Sequence, residues 1–361
     1  MTTTTHAFDG SILSVVPFNY KTGMNQINAC CANCGEEGGV SLKVCKSCML
    51  VKYCNAECQK NHWQKHKKDC KQQAAEIHNE ALFKDPPAKE DCPICSLPMP
   101  LNLVCCMSLP DATITSVPIY EFAEANRKLS ILDTETYYSC CGKTICKGCV
   151  YSSRKSGNHD KCPFCKSDRN SKTDEVVVEE IMTRAETNDA DSIYVLAQHY
   201  RDGEGGLQQD RSKTMELLAR ASELGSSKAH FALGCINKNE GDLKKAKFHY
   251  EAAAMAGHEV ARSCVGSLEC NSGNMERAVK HLAIAASAGD YDAMQMLQES
   301  FNSGFVNRES IDSTLTAYND SCAKMRSDSR DAYIRRQLRN LKICVRKNST
   351  NAAGRLLTEG A

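Results

Sequence analysis

Apolar and polar positions along this chain follow two regimes that change near Asp174. Beyond it, small and apolar residues recur with a long period. The strings ASELG (Ala221 to Gly225), AAMAG (Ala253 to Gly257) and AASAG (Ala285 to Gly289) repeat every 32 residues; Ala229, Ala261 and Ala293 keep the same step, and Gly234 and Gly266 match in offset. A unit of roughly 30 residues with small residues at fixed places predicts helix pairs stacked into a solenoid. The Ala and Gly positions allow close helix approach, and the Gly closes one helix of each unit. Three good units are expected from Ala190, a degenerate fourth from Gly289 to Tyr333, and a lead helix over Val176 to Thr187. Before Asp174, Ala56 to Cys70 holds helix formers without Pro or Gly, and a helical linker runs from Lys71 to Phe83 until Pro86-Pro87 breaks it. Apolar runs at Leu101 to Met107 and Ile114 to Ile119 and a short helix near Glu121 to Leu129 read as an insertion. No stretch approaches the roughly 20 apolar residues of a spanning helix.

Cysteine usage explains the first regime. Eighteen of 23 cysteines lie between Cys30 and Cys165, mostly as close pairs: Cys31/Cys34, Cys45/Cys48, Cys54/Cys58, Cys92/Cys95, Cys146/Cys149 and Cys162/Cys165. The segment Met1 to Ala29 lacks a basic start, and its apolar stretch Ile12 to Phe18 is too short for a secretion signal. The chain is therefore expected inside the cell, in cytoplasm or nucleus, where thiols stay reduced and such pairs bind zinc rather than form disulfides. The later cysteines (Cys235, Cys264, Cys270, Cys322, Cys344) stand singly and read as ordinary thiols. With 45 basic and 44 acidic residues the net charge is +1, which steers the chain to neither nucleic acid nor an anionic membrane.

The first cluster supplies eight good ligands, enough for two tetrahedral sites. Two Cys-x2-Cys knuckles flank Gly38-Gly39, and on a helix Cys58, His62, His66 and Cys70 share one stripe, with His66 and Cys70 one turn apart. The order Cys-x2-Cys, Cys-x2-Cys, Tyr-Cys-x3-Cys-Gln, Trp-x2-His-x3-Cys resembles a MYND zinc finger over about 40 residues. The resemblance implies interleaved sites: Cys31, Cys34, Cys54 and Cys58 on one ion, Cys45, Cys48, His66 and Cys70 on the other, with Cys30 and His62 spare. It also implies a protein-binding module for proline-containing peptides, with Tyr53, Gln59 and Trp63 lining the groove. Lys60, Lys65, Lys67 and Lys68 read as a solvated helix face.

A second cluster (DCPIC, SCCGKTICKGC, KCPFC) again offers eight ligands: Cys92, Cys95, Cys140, Cys141, Cys146, Cys149, Cys162 and Cys165. It resembles an all-cysteine RING finger, which implies Cys92, Cys95, Cys146 and Cys149 on one ion and the other four on the second. Lys143 stands where the common pattern has a ligand His, and an ammonium cannot ligate, so Cys140 and Cys141 must both reach one ion unless His159, Cys105 or Cys106 substitutes. A catalytic RING positions a ubiquitin-charged conjugating enzyme and has no nucleophile of its own. Its contact points would fall at Ile94, Pro163 and Lys166, with Val150 or Tyr151 near the usual central-helix aromatic.

In the back half, HYRDGEGGLQQDRSKTMELLARASELG resembles a Sel-one-like repeat, a relative of the tetratricopeptide repeat that implies a protein-binding scaffold. The expected layout is a disordered N-terminus (1–29), a MYND-type finger (30–70), a linker (71–90), a RING-like finger with insertion (91–168), Sel-one-like repeats (174–333) and a basic helix with a disordered tail (334–361). The tail is basic through Arg335, Arg336, Arg339, Lys342, Arg346 and Lys347, with helix expected to about Val345. The fold class is thus two small zinc-stabilised modules followed by an all-α solenoid, holding four zinc ions. The expected function is a protein-interaction adaptor acting as a RING-type ubiquitin ligase, its MYND finger and repeats recruiting substrates. The alternative is a scaffold that only binds proteins. Thiolate-saturated sites without His-Glu-x-x-His argue against a zinc hydrolase, and the lack of an Asn-His-Ser-Cys segment against a methyltransferase.

Overall fold

The computed structural model describes residues 30–36, 41–49, 51–101, 134–337 and 339–340. The sequence expectations for the N-terminus, for Gly38-Gly39, for the insertion with Cys105 and Cys106, and for Cys344 and the end of the tail lie outside these residues. The chain divides into two compact units, Met1–Lys84 and Asp85–Ala361.

In the first unit, β1 (Lys43–Val44) pairs antiparallel with β2 (Lys52–Tyr53), Lys43 opposite Tyr53. A parallel bridge from Cys31 to Lys52 ties the first knuckle to this ribbon. One helix follows, α1 (Ala56–Phe83), 28 residues long. Asn55 caps it by accepting the Cys58 N–H at 2.8 Å. Nothing in its sequence interrupts it, so the stretch Lys71 to Phe83, expected as a linker helix, continues the finger's own helix. The core is mostly sulfur: Cys31, Cys45, Cys48, Cys70 and the Tyr53 ring, with Leu42 and Val51 beside them. Along its whole length α1 buries only His66, Cys70 and Leu82.

The second unit opens with a zinc-finger-like module. Its β3 (Glu135–Tyr138) and β4 (Lys143–Cys146) form an antiparallel hairpin, and α2 (Lys147–Lys155) follows directly. Tyr138, Ile145 and Val150 pack among Cys92, Cys146, Cys149 and Cys162. Nine helices then run in order: α3 (Asp174–Glu186), α4 (Ala190–Asp202), α5 (Arg211–Glu223), α6 (Ser227–Asn239), α7 (Leu243–Met255), α8 (Glu259–Asn271), α9 (Met275–Ser287), α10 (Tyr291–Asn302) and α11 (Arg308–Lys324), before a last helical segment, 328–337. Each helix packs on its neighbours in chain order, as a solenoid requires. The periodic alanines are the reason: Ala221, Ala229, Ala253, Ala261, Ala285 and Ala293 are all fully buried. Gly225, Gly257 and Gly289 end their helices at φ of 88°, 90° and 96°, a left-handed conformation open to glycine. The helix N-caps fall at Asp210, Ser226, Asp242, His258, Asn274 and Asp290, one every 16 residues, and all but Asn274 accept a backbone N–H three residues on.

The finger-like module is seated on this solenoid. Arg184 of α3 donates to the Ser139 and Cys140 carbonyls at 2.7 and 3.1 Å. Tyr137 meets Ser192 of α4 at 2.7 Å, Lys228 of α6 pairs with Glu135, and Lys89 pairs with Glu259 of α8 at 3.1 Å. Among the described residues no helix is long and apolar enough to cross a membrane.

Candidate metal centres

Four groups of side chains converge. They are Cys31, Cys34, Cys54 and Cys58; Cys45, Cys48, His66 and Cys70; Cys92, Cys95, Cys146 and Cys149; and Cys140, Cys141, Cys162 and Cys165. In each, all four ligand atoms lie within 4.8 Å of one another. A tetrahedron of ~2.3 Å zinc–sulfur bonds has edges of about 3.8 Å. The sulfur pairs match that scale: Cys34–Cys54 at 3.6 Å, Cys45–Cys70 at 3.8 Å, Cys95–Cys146 at 4.0 Å and Cys141–Cys162 at 3.8 Å. None of these cysteines is in a disulfide.

Local structure explains each group. The ribbon β1–β2 holds the first two knuckles, and α1 presents Cys58, His66 and Cys70 at helical spacing. His66 turns Nε2 to within 3.3 Å of Cys48 Sγ. Burial, reinforced by His62, lowers the His66 pKa, which favours the neutral ring that a metal needs. His62 stays outside the ligand set. It meets Tyr53 Oη through Nδ1 at 3.0 Å and stacks on His66 at 13°. In the second module the turn between β3 and β4 curls back, with Gly142 N–H donating to the Tyr138 carbonyl at 2.8 Å. That turn sends both Cys140 and Cys141 toward Cys162 and Cys165. His159 lies exposed outside the group, and so does Lys143.

Crowding makes these nests fit a cation. Four thiols this close cannot all ionise alone. Hydrogen bonding with Cys58 and burial push the Cys54 thiol up to about 12; burial and its Cys45 neighbour do the same for Cys70. Burial takes Cys141 to about 12, and hydrogen bonds with Cys146 and Cys92 push Cys149 upward. A divalent ion at the centre relieves that repulsion and draws the protons off.

The other expected site residues are distributed unevenly. Gln59 and Trp63 sit one turn apart on α1, both exposed. Tyr53 is only 2% exposed, so its ring belongs to the finger's interior. In the second module Ile94 is 42% exposed, whereas Pro163 is buried. Lys166 is exposed, and its ammonium donates to the Pro163 carbonyl at 2.7 Å. Val150 lies in the module's core, and the Tyr151 ring sits 6.3 Å from Tyr333. Phe164, 43% exposed inside the last knuckle, escaped the sequence reading, although its place between Pro163 and Cys165 could have flagged it.

Residues 31–70 match the MYND finger family, and residues 190–226, 227–258 and 272–290 match the Sel1 repeat. Among solved structures, a Sel1 repeat protein from Oxalobacter formigenes is 26% identical across 34% of this chain and 97% of its own, with a TM-score of 0.32. A protective antigen present in uropathogenic Escherichia coli strains, displaying an SLR fold, is 19% identical across 53% of this chain and 43% of its own, with a TM-score of 0.34. The chain thus carries a zinc-binding MYND finger and Sel1 repeats, both protein-interaction modules, and its four ligand groups suit four zinc ions. The likeness of the second module to a RING finger rests on its cysteine groups.

Proposed function

We propose that this zinc-binding interaction adaptor is a RING-type ubiquitin ligase whose MYND finger and repeats recruit protein substrates. The carrying observation is the interleaving of the second module. Its first and third cysteine pairs share one nest, and Cys140, Cys141 and the last pair share the other, with apolar Ile94 left at the surface of the first knuckle. Such a module needs no nucleophile, because it works by positioning a charged conjugating enzyme. Auto-ubiquitination by the full chain with purified activating and conjugating enzymes tests it. Ile94→Ala should cut the rate about tenfold, as loss of an apolar contact at an interface centre does, with zinc content unchanged. Silence across a broad panel of conjugating enzymes, with four ions bound, would refute ligase activity.

A non-catalytic scaffold is the second reading. Pro163 is buried, the Lys166 ammonium is held by the Pro163 carbonyl, and Tyr333 and Arg336 lie over Tyr151, leaving less of the module's surface open.

For the first finger we propose proline-containing peptides as ligands, gripped by Trp63 and Gln59. Trp63→Ala should weaken a proline-containing peptide by at least 1–2 kcal/mol, about tenfold in Kd. Isothermal titration checks this, and an unaltered Kd removes Trp63 from the groove.

A further inference from the structure

We propose that Arg330 joins metal binding at the Cys92, Cys95, Cys146 and Cys149 centre to the seating of the terminal helical segment 328–337, so that the two form one linked equilibrium. Arg330 is only 3% exposed and lies 184 residues beyond Cys146. All five of its N–H groups have acceptors. Nε donates to Cys146 Sγ at 3.4 Å, and Nη2 to Cys95 Sγ at 3.4 Å and the Leu97 carbonyl at 3.3 Å. Nη1 donates to the Pro98 carbonyl at 2.7 Å and the Met325 carbonyl at 2.6 Å. One guanidinium therefore grips the first knuckle, a sulfur at the end of β4 and the end of α11.

Charge gives that grip its direction. Four thiolates around a divalent ion carry a net charge of −2, and N–H···S bonds from a cation stabilise the ionised sulfurs. A buried guanidinium in turn needs anionic partners, which the thiolates become when metal is held. Metal and helix each favour the other, and by reciprocity each is weakened when the other leaves.

A second, independent observation places the segment's backbone against the centre. A Cβ on Gly148, between ligands Cys146 and Cys149, would lie 2.7–2.8 Å from Arg330 Cγ, Cα and N. Only glycine permits that approach. Beyond Arg330, the Tyr333 ring sits 6.3 Å from Tyr151, and the Arg336 guanidinium lies 5.6 Å from the same ring. The segment thus covers the Tyr151 face of α2. A partner that pulls it away would lower the metal affinity of this one centre, and loss of that metal would open the α2 face. The inference goes beyond ligase activity and stands with or without it.

The test is zinc release from the full chain to a chromogenic chelator, with hydrogen exchange read over 328–337. In Arg330→Gln, one ion per chain should leave about tenfold faster or more, as loss of a hydrogen-bond partner to a metal ligand does, while the other three keep their rates. Arg330→Lys, which keeps the charge and loses the fork, should fall between. Tyr333→Ala leaves Arg330 and all four ligands of this centre in place and should speed the same single ion, which decides the matter if the Arg330 variants fail to fold. Wild-type protein stripped at this centre should lose exchange protection over 328–337 and keep it over α4 to α7. Unchanged release in both Arg330→Gln and Tyr333→Ala, equal acceleration of all four ions, or a segment that stays protected after stripping would each overturn the proposal.

Discussion

Cys54→Ser is expected to unfold the first unit and leave the helices of the second standing. Cys54 shares a nest with Cys31, Cys34 and Cys58, and it begins the turn that launches α1. Structural zinc contributes on the order of 10–16 kcal/mol in small finger peptides, whereas a whole domain is stable by only about 5–15 kcal/mol. The first unit has little else to draw on. Its core is sulfur around one tyrosine ring, and α1 buries three side chains in 28 residues. Losing one nest also releases α1, which carries His66 and Cys70 of the other. Elemental analysis should fall from four zinc ions per chain to about two, and circular dichroism should lose the α1 share while the cooperative melt of α3 to α11 persists. Retention of all four ions would place the finger's stability elsewhere.

The second large effect is expected at Glu269 of α8, whose side chain is fully buried. It accepts from Lys247 of α7 at 2.8 Å, from Arg277 of α9 at 2.9 Å and from Asn274, the α9 cap, at 2.8 Å. One carboxylate thereby stitches three successive helices. Burial alone would raise its pKa, but the hydrogen bonds from Lys247, Arg277 and Asn274 win and hold it at about 2, against an ordinary 4.5. A carboxyl with a depressed folded pKa adds stability that is complete above its unfolded value and vanishes as pH falls through the folded one. The window here is pH 4.5 down to about 2, and at 1.36 kcal/mol per unit the contribution is about 3 kcal/mol. Glu269→Ala should cost about 3–5 kcal/mol at pH 7, because two cations lose their buried partner. Urea denaturation of wild type and variant at pH 7 and pH 2.5 checks this. The difference between the two proteins should shrink at the lower pH, a comparison that cancels the metal lost from both. A gap that stays constant would assign the effect to packing.

Much of the metal architecture was legible because its ligands come in short pairs. A thiol two residues from another declares itself in any context, and the helical spacing of Cys58, His66 and Cys70 carried the same information. The resemblance to known fingers supplied the interleaving, which spacing alone left open. The 32-residue period was plain in the alanines. The 16-residue rhythm beneath it was overlooked, because Asp, Ser and His perform one capping task under three names and Asn274 holds the position without performing it. Tyr53 shows a different limit: an aromatic beside a ligand reads equally well as surface or interior, and its 2% exposure and its contact with His62 are tertiary facts that no local pattern carries. The seating of the second module had no local signature. Arg184 and Arg330 are single basic residues 44 and 184 positions from Cys140 and Cys146, and one-residue contacts at such separations leave no pattern to count.

In three of the finger knuckles, the residue after the second cysteine takes a positive φ without being glycine: Met49 at 57°, Ser96 at 51° and Lys166 at 63°. Each costs about 1 kcal/mol or more relative to a relaxed backbone, yet none of these side chains touches the work of ligation. The side chains at these corners can therefore change without altering the ligand sets, and replacing any with glycine should make the knuckle easier to form. Such corners are where a family of metal-built lobes can diversify what it shows the outside world.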